Sequence, residues 1–331
     1  MRYALLPIFA LALLAPAAVS AQSLGGSMGN TDPFTISVNP QYPAPASQAT
    51  LSFLSSTLDL ASATMVVSVG GKRVYSGSVQ PVTVPLGGAG SVASVKVTIS
   101  SGGASYTQSL AIQPEDVSLI AEPASSQPPL YPGKPLVPLA GNTRVVAVAN
   151  LKDAGGKTLD PSTLSYTWTV DGTQIADSSG IGKSVILVAS PLQYRSRSVS
   201  VVVQSPRGSL AGGDSLTLTP AEPTVRLYRN DPLLGIRFDH ALSGDYAITG
   251  SEASLYATPF SFPLLGGAPA LQWFLNGAAA QTGPSITLRP AGSGQGSASL
   301  SLTASSGSAA TALANLSLSF GAKPSTNFLG L

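Results

Sequence analysis

The stretch Tyr166-Thr167-Trp168-Thr169-Val170-Asp171-Gly172 decides the fold of this chain. Tyr166, Trp168 and Val170 alternate with polar residues, so their side chains lie on one face of a predicted β-strand. Asp171-Gly172 then favours the two positive φ angles that a two-residue hairpin turn requires. The stretch therefore predicts a strand with a central tryptophan anchor that leads directly into a tight hairpin.

The same phrase occurs twice more along the chain. Leu271-x-Trp273-x-Leu275 precedes Asn276-Gly277, and Met65-x-Val67-x-Val69 precedes Gly70-Gly71. An anchored strand followed by an x-Gly turn is therefore predicted three times, about one small domain apart.

The strands that follow each turn support this repeat. Runs of period two fill each repeat, with turn residues at intervals of about ten positions. We therefore predict an all-β chain of three tandem immunoglobulin-like β-sandwich domains after a signal peptide, with Trp168 and Trp273 packed between the sheets. The later runs are centred 26, 29 and 25 residues after the three turn glycines, at Val97, Val201 and Leu302.

The N-terminus has the pattern of a secretory signal. Arg2 carries a positive charge, residues 4–19 are almost wholly apolar, and small residues lead up to Ala21, so we expect cleavage there and a new N-terminus at Gln22. An uncleaved anchor is the alternative, but the apolar run is shorter than the roughly 20 residues of a spanning helix. The predicted organisation is signal peptide 1–21, flexible leader 22–33, immunoglobulin-like domains 34–114, 115–220 and 221–320, and short tail 321–331.

The joints between the predicted domains are short. Residues 112–117 and 218–225 leave little chain between neighbouring repeats, and both contain proline. Such linkers are expected to behave as semi-rigid spacers.

The composition limits the partners. Charged residues make up 10% of the chain, the formal net charge is +2 and there is no cysteine. This balance gives no electrostatic reason for binding nucleic acid or an anionic membrane surface. We expect protein or envelope partners, no membrane span in the mature chain, and cores held by apolar packing without disulfides.

One motif raises the possibility of catalysis. Gly213-Asp214-Ser215-Leu216 matches the motif of a class of serine esterases, and Asp239-His240 contains the only histidine. However, Ser215 lies at the start of an alternating strand, where those enzymes have a strand-to-helix turn. We therefore predict no catalytic residues and no enzyme activity.

Acidic residues raise the possibility of a structural calcium ion. Glu115, Asp116 and Glu222 stand at the joints, and repeat two contains further carboxylates. Their spacing matches no calcium loop, and Gly292-x-Gly294-x-Gly296 precedes no helix that would form a phosphate site. We predict no metal and no cofactor, with calcium at the joints left open. The further carboxylates are Asp153, Asp160, Asp171 and Asp177.

An apolar cluster precedes the Trp273 strand in repeat three. Exposed, it would indicate a surface for a partner; buried, it would extend the core, which is the favoured interpretation. Its members are Tyr256, Phe260, Phe262, Leu264 and Leu265.

The phrase Tyr-x-Trp-x-x-x-Gly at 166–172 resembles the conserved strand of bacterial PKD-like and immunoglobulin-like repeats, without the acidic second half of the PKD phrase. Together with Tyr131-Pro132-Gly133-Lys134 and Pro232-x-x-Gly235-Ile236-x-Phe238, it resembles an uncharacterised family of exported three-domain bacterial proteins. These phrases cover repeats two and three, since Val67 replaces the tryptophan in repeat one. The resemblance implies an envelope or surface location and no assigned activity.

The sequence therefore predicts an exported, non-enzymatic envelope or surface protein, whose tandem modules act as a semi-rigid scaffold, spacer or adhesion module. One alternative is an accessory subunit of a pilus or secretion machine. A second is a carbohydrate-binding or hydrolytic envelope protein with a loop site that carries no signature.

Overall fold

The structure is a computed structural model that describes residues 32–129, 131–153, 155–291, 295–307 and 310–321. The predicted signal peptide, most of the leader and tail, and the glycines at 292 and 294 lie outside these residues. The chain divides into two compact units after Pro114, and each is described by itself.

The first unit contains one β-sandwich. One sheet has the strand order β1-β2-β5 and the other β4-β3-β6-β7, with antiparallel pairing throughout. Alternate residues of both sheets face inward, and Val67 is fully buried at the centre of this core. The strands are β1 (Thr35–Asn39), β2 (Gln48–Leu54), β3 (Thr64–Val69), β4 (Lys72–Ser78), β5 (Val82–Pro85), β6 (Ala93–Ser101) and β7 (Ala104–Ile112).

The second unit begins with another sandwich of the same design. Its sheets have the orders β13-β9-β8 and β11-β10-β14-β15, and the short β12 also pairs with β10. Single 3-10 turns lie at Pro161–Thr163 and Ala176–Ser178. The strands are β8 (Asp116–Pro123), β9 (Asn142–Asn150), β10 (Ser165–Val170), β11 (Thr173–Gln174), β12 (Gly180–Ile181), β13 (Val185–Ala189), β14 (Arg197–Gln204) and β15 (Ala211–Leu218).

A further sandwich completes the second unit and adds two features. Its sheets have the orders β17-β16-β19-β22 and β18-β24-β23-β20-β21. Strand β17 forms a hairpin with β16, and β18 runs parallel to β24. The strands are β16 (Thr224–Asp231), β17 (Gly235–Leu242), β18 (Gly244–Ile248), β19 (Ala253–Phe260), β20 (Ala270–Leu275), β21 (Ala278–Thr282), β22 (Ser285–Leu288), β23 (Gly296–Ser306) and β24 (Ala310–Phe320).

The all-β sandwich fold predicted from the sequence is confirmed, and so are its hairpin turns. Asp171 and Gly172 have φ angles of +49° and +78°, and Asn276 and Gly277 have +49° and +79°. These are the left-handed angles of a two-residue turn that follows the twist of its strands. In the first sandwich Gly70 takes the position of the aspartate and asparagine, with φ of +55°.

Both tryptophans are buried, as predicted. Trp168 and Trp273 are fully inaccessible to solvent and lie in the cores of the second and third sandwiches. Each indole N–H donates to a backbone carbonyl, Trp168 to Lys183 at 2.8 Å and Trp273 to Gly283 at 2.9 Å. The tryptophans are therefore structural anchors whose one polar group is satisfied.

Candidate functional site

The second and third sandwiches are joined by a short backbone ladder. Ser126 donates its N–H to the carbonyl of Phe262 at 2.8 Å, and its own carbonyl accepts the N–H of Ser261 at 3.0 Å. The Ser126 hydroxyl also accepts the Phe262 N–H at 3.0 Å. Nearby, the N–H of Leu264 donates to the carbonyl of Ala124 at 3.1 Å. The segment after β8 therefore extends from the second sandwich and pairs with the loop between β19 and β20.

Gly141 permits this close approach. Its φ is +123°, and an added Cβ would lie 3.2 Å from Cβ of Pro263. A side chain here would combine backbone strain with crowding against the docked loop.

The predicted apolar cluster divides between core and surface. Phe262 is fully buried in the third core, so the interpretation as core is confirmed for this residue. Leu264 and Leu265 are exposed instead. Tyr256 and Phe260 point away from the core, because the residues that alternate with them on β19 fill it. The cluster is thus neither wholly core nor wholly surface.

Three rings form a chain of edge-to-face contacts on the outer face of the sheet β17-β16-β19-β22. The centroid of Phe238 lies 5.2 Å from that of Tyr228 and 6.5 Å from that of Tyr256. Along the same sheet, Phe260 packs edge-to-face at 5.8 Å with Tyr131, which comes from the second sandwich. These five rings are called the aromatic surface below. Such ring pairs add about 0.5–1.5 kcal/mol to the burial of their area.

The register explains how these rings meet. Tyr228 on β16 lies directly opposite Tyr256 on β19, which places their side chains on the same face. The pairing of β16 with β17 is interrupted between Tyr228 and Asn230. The irregularity re-aims β17 locally, so that Phe238 covers the two tyrosines.

Charge and polar groups border the aromatic surface. The guanidinium of Arg226 lies 6.0 Å from the ring centroid of Phe260, in reach of a cation–π interaction. Burial raises the pKa of the Tyr228 hydroxyl, and the charge of Arg226 opposes that rise. Thr258 lies opposite Arg226 and alternates with Tyr256 and Phe260 along β19. It is buried, and its hydroxyl has no hydrogen-bond partner within the described part of the chain.

The turn between β16 and β17 displays two leucines. Leu233 and Leu234 are 93% and 69% exposed. Asp231 holds the turn, since one carboxylate oxygen accepts the N–H groups of both leucines at 3.0 and 3.1 Å. These bonds hold the pKa of Asp231 below its usual range, and Arg229 adds an ion pair at 3.2 Å. The turn is therefore an ordered apolar tip, called the leucine tip below.

Two of the five rings of the aromatic surface belong to the apolar cluster predicted from the sequence. Tyr256 and Phe260 were in the predicted cluster, but Tyr131, Tyr228 and Phe238 were not. Tyr131 and Phe238 occur in the phrases that carry the family resemblance, which was the available signal. Tyr228 alternates with the buried Val225 and Leu227, and this pattern could have placed it on the outer face.

The esterase-like motif forms a strand. Ser215 lies exposed in the middle of β15 of the second sandwich, so its expected position at the start of a strand is wrong. Its neighbour Asp214 accepts the N–H of Leu119 at 2.8 Å. His240 lies exposed on β17 of the third sandwich. Asp239 is paired with Arg237 at 3.0 Å. No hydrogen bond among the described residues joins Ser215 to His240.

The acidic residues at the joints do not converge. Glu115 accepts the N–H of Lys152 at 2.9 Å, whereas Glu222 accepts the side-chain amide of Gln193 at 2.8 Å. Asp116 lies 3.4 Å from the amide of Asn150. In the ranges that the structure describes, no three histidine or acidic side chains are grouped as metal ligands, and no helix has the length and apolarity to cross a membrane.

The comparisons with known proteins concern architecture. No protein-family model matches the sequence, and no curated protein is similar to it. The three N-terminal domains of the bacteriophage RB49 outer capsid protein Hoc are 14% identical, with 86% of this chain and 98% of that chain covered and a TM-score of 0.24. Fibronectin(III)-like modules of Clostridium thermocellum CbhA are 12% identical, with 62% and 95% covered and a TM-score of 0.25.

A third similar structure is the Bacteroides ovatus mixed-linkage glucan protein SGBP-B, solved with a heptasaccharide. It is 13% identical, with 88% of this chain and 72% of that chain covered and a TM-score of 0.22. The sheets themselves define the class: this chain is a tandem repeat of sandwiches of the immunoglobulin-like and fibronectin III-like type.

Proposed function

We propose that this chain is an exported, non-enzymatic protein of the cell envelope or cell surface, which binds a protein partner through its third sandwich. The observation that carries the proposal is the leucine tip beside the aromatic surface. Isolated exposed leucines are ordinary, but two of them on an ordered turn, at the end of the hairpin that carries the buried Tyr228 and the exposed Phe238, resemble the apolar centre of a protein interface.

Export is supported by the sequence and the composition. The first 21 residues have the pattern of a cleaved signal, and the low content of charged residues suits an extracellular all-β chain. A scaffold or adhesion role also fits a chain whose modules are rich in serine and threonine on their outer faces. The ladder at Ser126 supports a stiff connection between the second and third sandwiches.

A role without catalysis is supported by the positions of the nucleophile and base candidates. Ser215 and His240 lie on strands of different sandwiches, and Asp214 and Asp239 are engaged by other groups. Nucleophilic catalysis needs the nucleophile and its base within hydrogen-bond reach. We therefore expect Ser215→Ala and His240→Ala to leave partner binding unchanged.

The experiment compares capture by matched variants. Mature chain 22–331 is immobilised and exposed to solubilised envelope proteins, in the unmodified form, as Leu233→Asp/Leu234→Asp and as Leu313→Asp. Leu313 is a suitable control because it is 66% exposed on β24, which belongs to the other sheet of the same sandwich. The partner should be lost with the tip variant and retained with the control. The purified partner should then bind the tip variant at least about tenfold more weakly than the unmodified chain, a loss of about 1.4 kcal/mol of binding free energy.

Equal capture by all three forms would contradict the assigned surface. Export is tested separately by the mass of the secreted chain, which should begin at Gln22. Retention of Arg2 in the exported protein would contradict the proposed cleavage.

A carbohydrate-binding role is the second candidate, and an open cleft favours it. The cleft has a volume of about 450 Å³ and lies where the second sandwich meets the third. Its lining includes Gln193, Arg195 and Glu222, whose planar polar groups suit sugar hydroxyls. Tyr194 is 88% exposed with φ of +60°, a conformation that costs energy for a bulky side chain and is found at functional sites. Titration of envelope glycans against Tyr194→Ala separates this role from protein binding.

A further inference from the structure

Strand β13 in the second sandwich is an edge with free backbone groups. It pairs with β9 alone. Two hydrogen bonds at the ends of this pairing show which residues of β13 bond to β9: Ala147 N–H donates to Ser184 C=O at 2.8 Å, and Ser190 N–H donates to Gly141 C=O at 2.9 Å. Antiparallel ladders use alternate residues. The backbone groups of Ile186 and Val188 therefore face β9, and those of Val185, Leu187 and Ala189 face outward from the sheet. The Ala189 carbonyl accepts a hydrogen bond from the Arg197 guanidinium at 3.2 Å, so the free groups are those of Val185 and Leu187.

The side chains of β13 differ from those of its counterparts. Strands β5 and β22 hold the same edge position in the first and third sandwiches. Their solvent-facing residues are Thr83 and Pro85 in β5, and Ser285 and Thr287 in β22. Polar residues and proline are common means of keeping an edge strand from pairing. On β13 the corresponding residues are Val185, Leu187 and Ala189.

The apolar character continues across the outer face of this sheet. Val146 lies opposite Val185, and Ile120 lies opposite Val146, so three β-branched residues form a row. Ile120 is 40% exposed. The next row contains Arg144, whose charge is balanced by Glu122 at 2.8 Å. The edge and its face thus offer free hydrogen-bonding groups and apolar contact together, with no unbalanced charge in these rows.

We propose that β13 pairs antiparallel with β13 of a second copy, so that two β13-β9-β8 sheets become one continuous sheet across a two-fold axis. With Val185 opposite Leu187 of the second copy, the free N–H and C=O groups of both residues are satisfied. The same register places the two apolar side chains beside each other on the outer face.

The chemistry of the strand selects its own copy as the occupant. Residues 184–193 carry no charge, so antiparallel self-pairing places no like charges directly opposite each other. At the end of the paired stretch Lys183 would lie opposite Ala189 of the second copy, near Arg197, whose charge is balanced by Asp171 at 3.0 Å. A strand with charged side chains would find no opposite charge on β13. The contact is limited to one strand and its neighbouring row, which is small for a protein interface, so dissociation constants on the order of micromolar are expected.

The test measures the mass of mature chain 22–331 by sedimentation equilibrium from about 1 μM to about 500 μM, which brackets an interface of this size. The unmodified chain should approach twice its monomer mass. Leu187→Lys should remain monomeric, since it places a charge beside Val185 of the second copy and brings the two introduced charges to diagonal positions across the two-fold axis. Thr287→Lys is the matched control, with the same charge at the corresponding position of β22, and its self-association should equal that of the unmodified chain.

Two further variants separate pairing from misfolding. Leu187→Thr introduces the residue type found in the other edge strands and should weaken association at least about tenfold while melting normally. Because the chain has no cysteine, Leu187→Cys provides a single thiol that a short bis-maleimide should cross-link into dimers. A monomeric unmodified chain at every concentration, or equal cross-linking of Leu187→Cys and Thr287→Cys, would overturn the proposal. A monomer that captures an extended peptide would assign the edge to a different partner and equally overturn it.

Discussion

The indole N–H of Trp168 donates to the backbone carbonyl of Lys183 over 2.8 Å. Trp168 belongs to β10, whereas Lys183 lies in the short segment that leads from β12 into β13 of the opposite sheet. Trp273 repeats the arrangement with Gly283, which directly precedes the β22 region of its own sandwich. Each tryptophan therefore fills the space between two sheets and also holds the connection between them.

Replacement of Trp168 by alanine should destabilise the second sandwich by about 3–5 kcal/mol, because it leaves a cavity in the core. Replacement by phenylalanine keeps most of the apolar volume but leaves the Lys183 carbonyl without its donor. Trp168→Phe should therefore destabilise the sandwich less than Trp168→Ala does. The part of its cost that comes from the lost hydrogen bond should be about 1–3 kcal/mol. Urea unfolding followed by circular dichroism checks this order. An unchanged midpoint in Trp168→Ala would mean that the ring does not support the core.

Replacement of Asn276 tests the hairpin turn of the third sandwich. Asn276 adopts φ of +49°, donates its N–H to the carbonyl of Ser299 at 2.8 Å, and accepts the N–H of Ser299 with its side chain at 2.8 Å. Asn276→Ala loses the side-chain bond and strains the backbone, so we expect a loss of about 1–2 kcal/mol. Asn276→Gly relieves the strain and should be less harmful. Equal stability of both variants, measured by urea unfolding, would contradict this account.

Asp171 provides the matching test in the second sandwich. It accepts the N–H of Ser198 at 2.9 Å and also forms an ion pair with Arg197 at 3.0 Å. Asp171→Asn keeps an acceptor for Ser198 and loses only the ion pair, which is partly exposed to solvent. The expected loss is therefore small, within about 1 kcal/mol, and it should shrink as salt is added. A large loss of stability that added salt leaves unchanged would show that the Asp171 charge stabilises the fold by something other than a solvent-screened ion pair.

The strand centres that the repeat spacing singled out lie opposite the anchor residues in the structure. Val67 lies opposite Val97, Trp168 opposite Val201, and Trp273 opposite Leu302. Spacing could reveal these pairs because a buried strand centre must be apolar and must face the anchor of its neighbour. The hairpin turns were equally predictable, since few residues other than glycine, asparagine and aspartate adopt their φ angles.

Other elements left no such signal in the sequence. Every side chain of β21 is exposed, so that strand shows no apolar alternation. Strands β17 and β18 are also largely exposed, and the pairing of β17 is irregular. The docking of Ser126 depends on backbone hydrogen bonds from a proline-rich segment, which periodicity cannot reveal. The aromatic surface was therefore found only in part, because it combines β17 with this segment.

Glu115 should make the stability of the second unit depend on pH. The residue is 3% exposed, and burial raises the pKa of its carboxyl, against the opposing effects of the N–H and charge of Lys152. A raised pKa in the folded state means that the protonated group is favoured there. Its contribution to stability is therefore present below the ordinary glutamate pKa, about 4.3, and is lost as pH rises through the folded value.

The comparison with Glu115→Gln isolates this contribution. The substituted amide would still offer an acceptor to the Lys152 N–H but would not ionise, so the stability of the variant relative to the unmodified chain should increase as pH rises from about 4 to 7. Carboxyls whose pKa is lowered, such as Asp160 and Asp231, contribute stability that depends on pH in the opposite direction. The variant and the unmodified chain both contain them, so their contributions cancel in the difference. Thermal unfolding across this range provides the difference. A difference that is constant with pH would contradict the assignment to Glu115.

Ser126 should make the second and third sandwiches unfold together. It is 7% exposed, and it exchanges two backbone hydrogen bonds with the loop of the third sandwich while its hydroxyl accepts a third. Ser126→Ala leaves the buried Phe262 N–H without that acceptor and should cost about 1–3 kcal/mol. Ser126→Pro also removes the backbone donor to the Phe262 carbonyl and cannot maintain the ladder.

The two tryptophans allow this coupling to be measured. Trp273→Phe leaves Trp168 as the reporter of the second sandwich, and Trp168→Phe leaves Trp273 as the reporter of the third. Each reporter mutation shifts its own sandwich, so the comparison is made within each background. In both, Ser126→Ala should lower the fluorescence midpoint in urea, because a joint transition distributes the loss over both sandwiches. Ser126→Pro should separate them and broaden the transition followed by circular dichroism. Gln127→Ala, which alters an exposed neighbour, should leave both midpoints in place. If Ser126→Ala shifts the midpoint in one background alone, the sandwiches unfold independently and the ladder is only a contact.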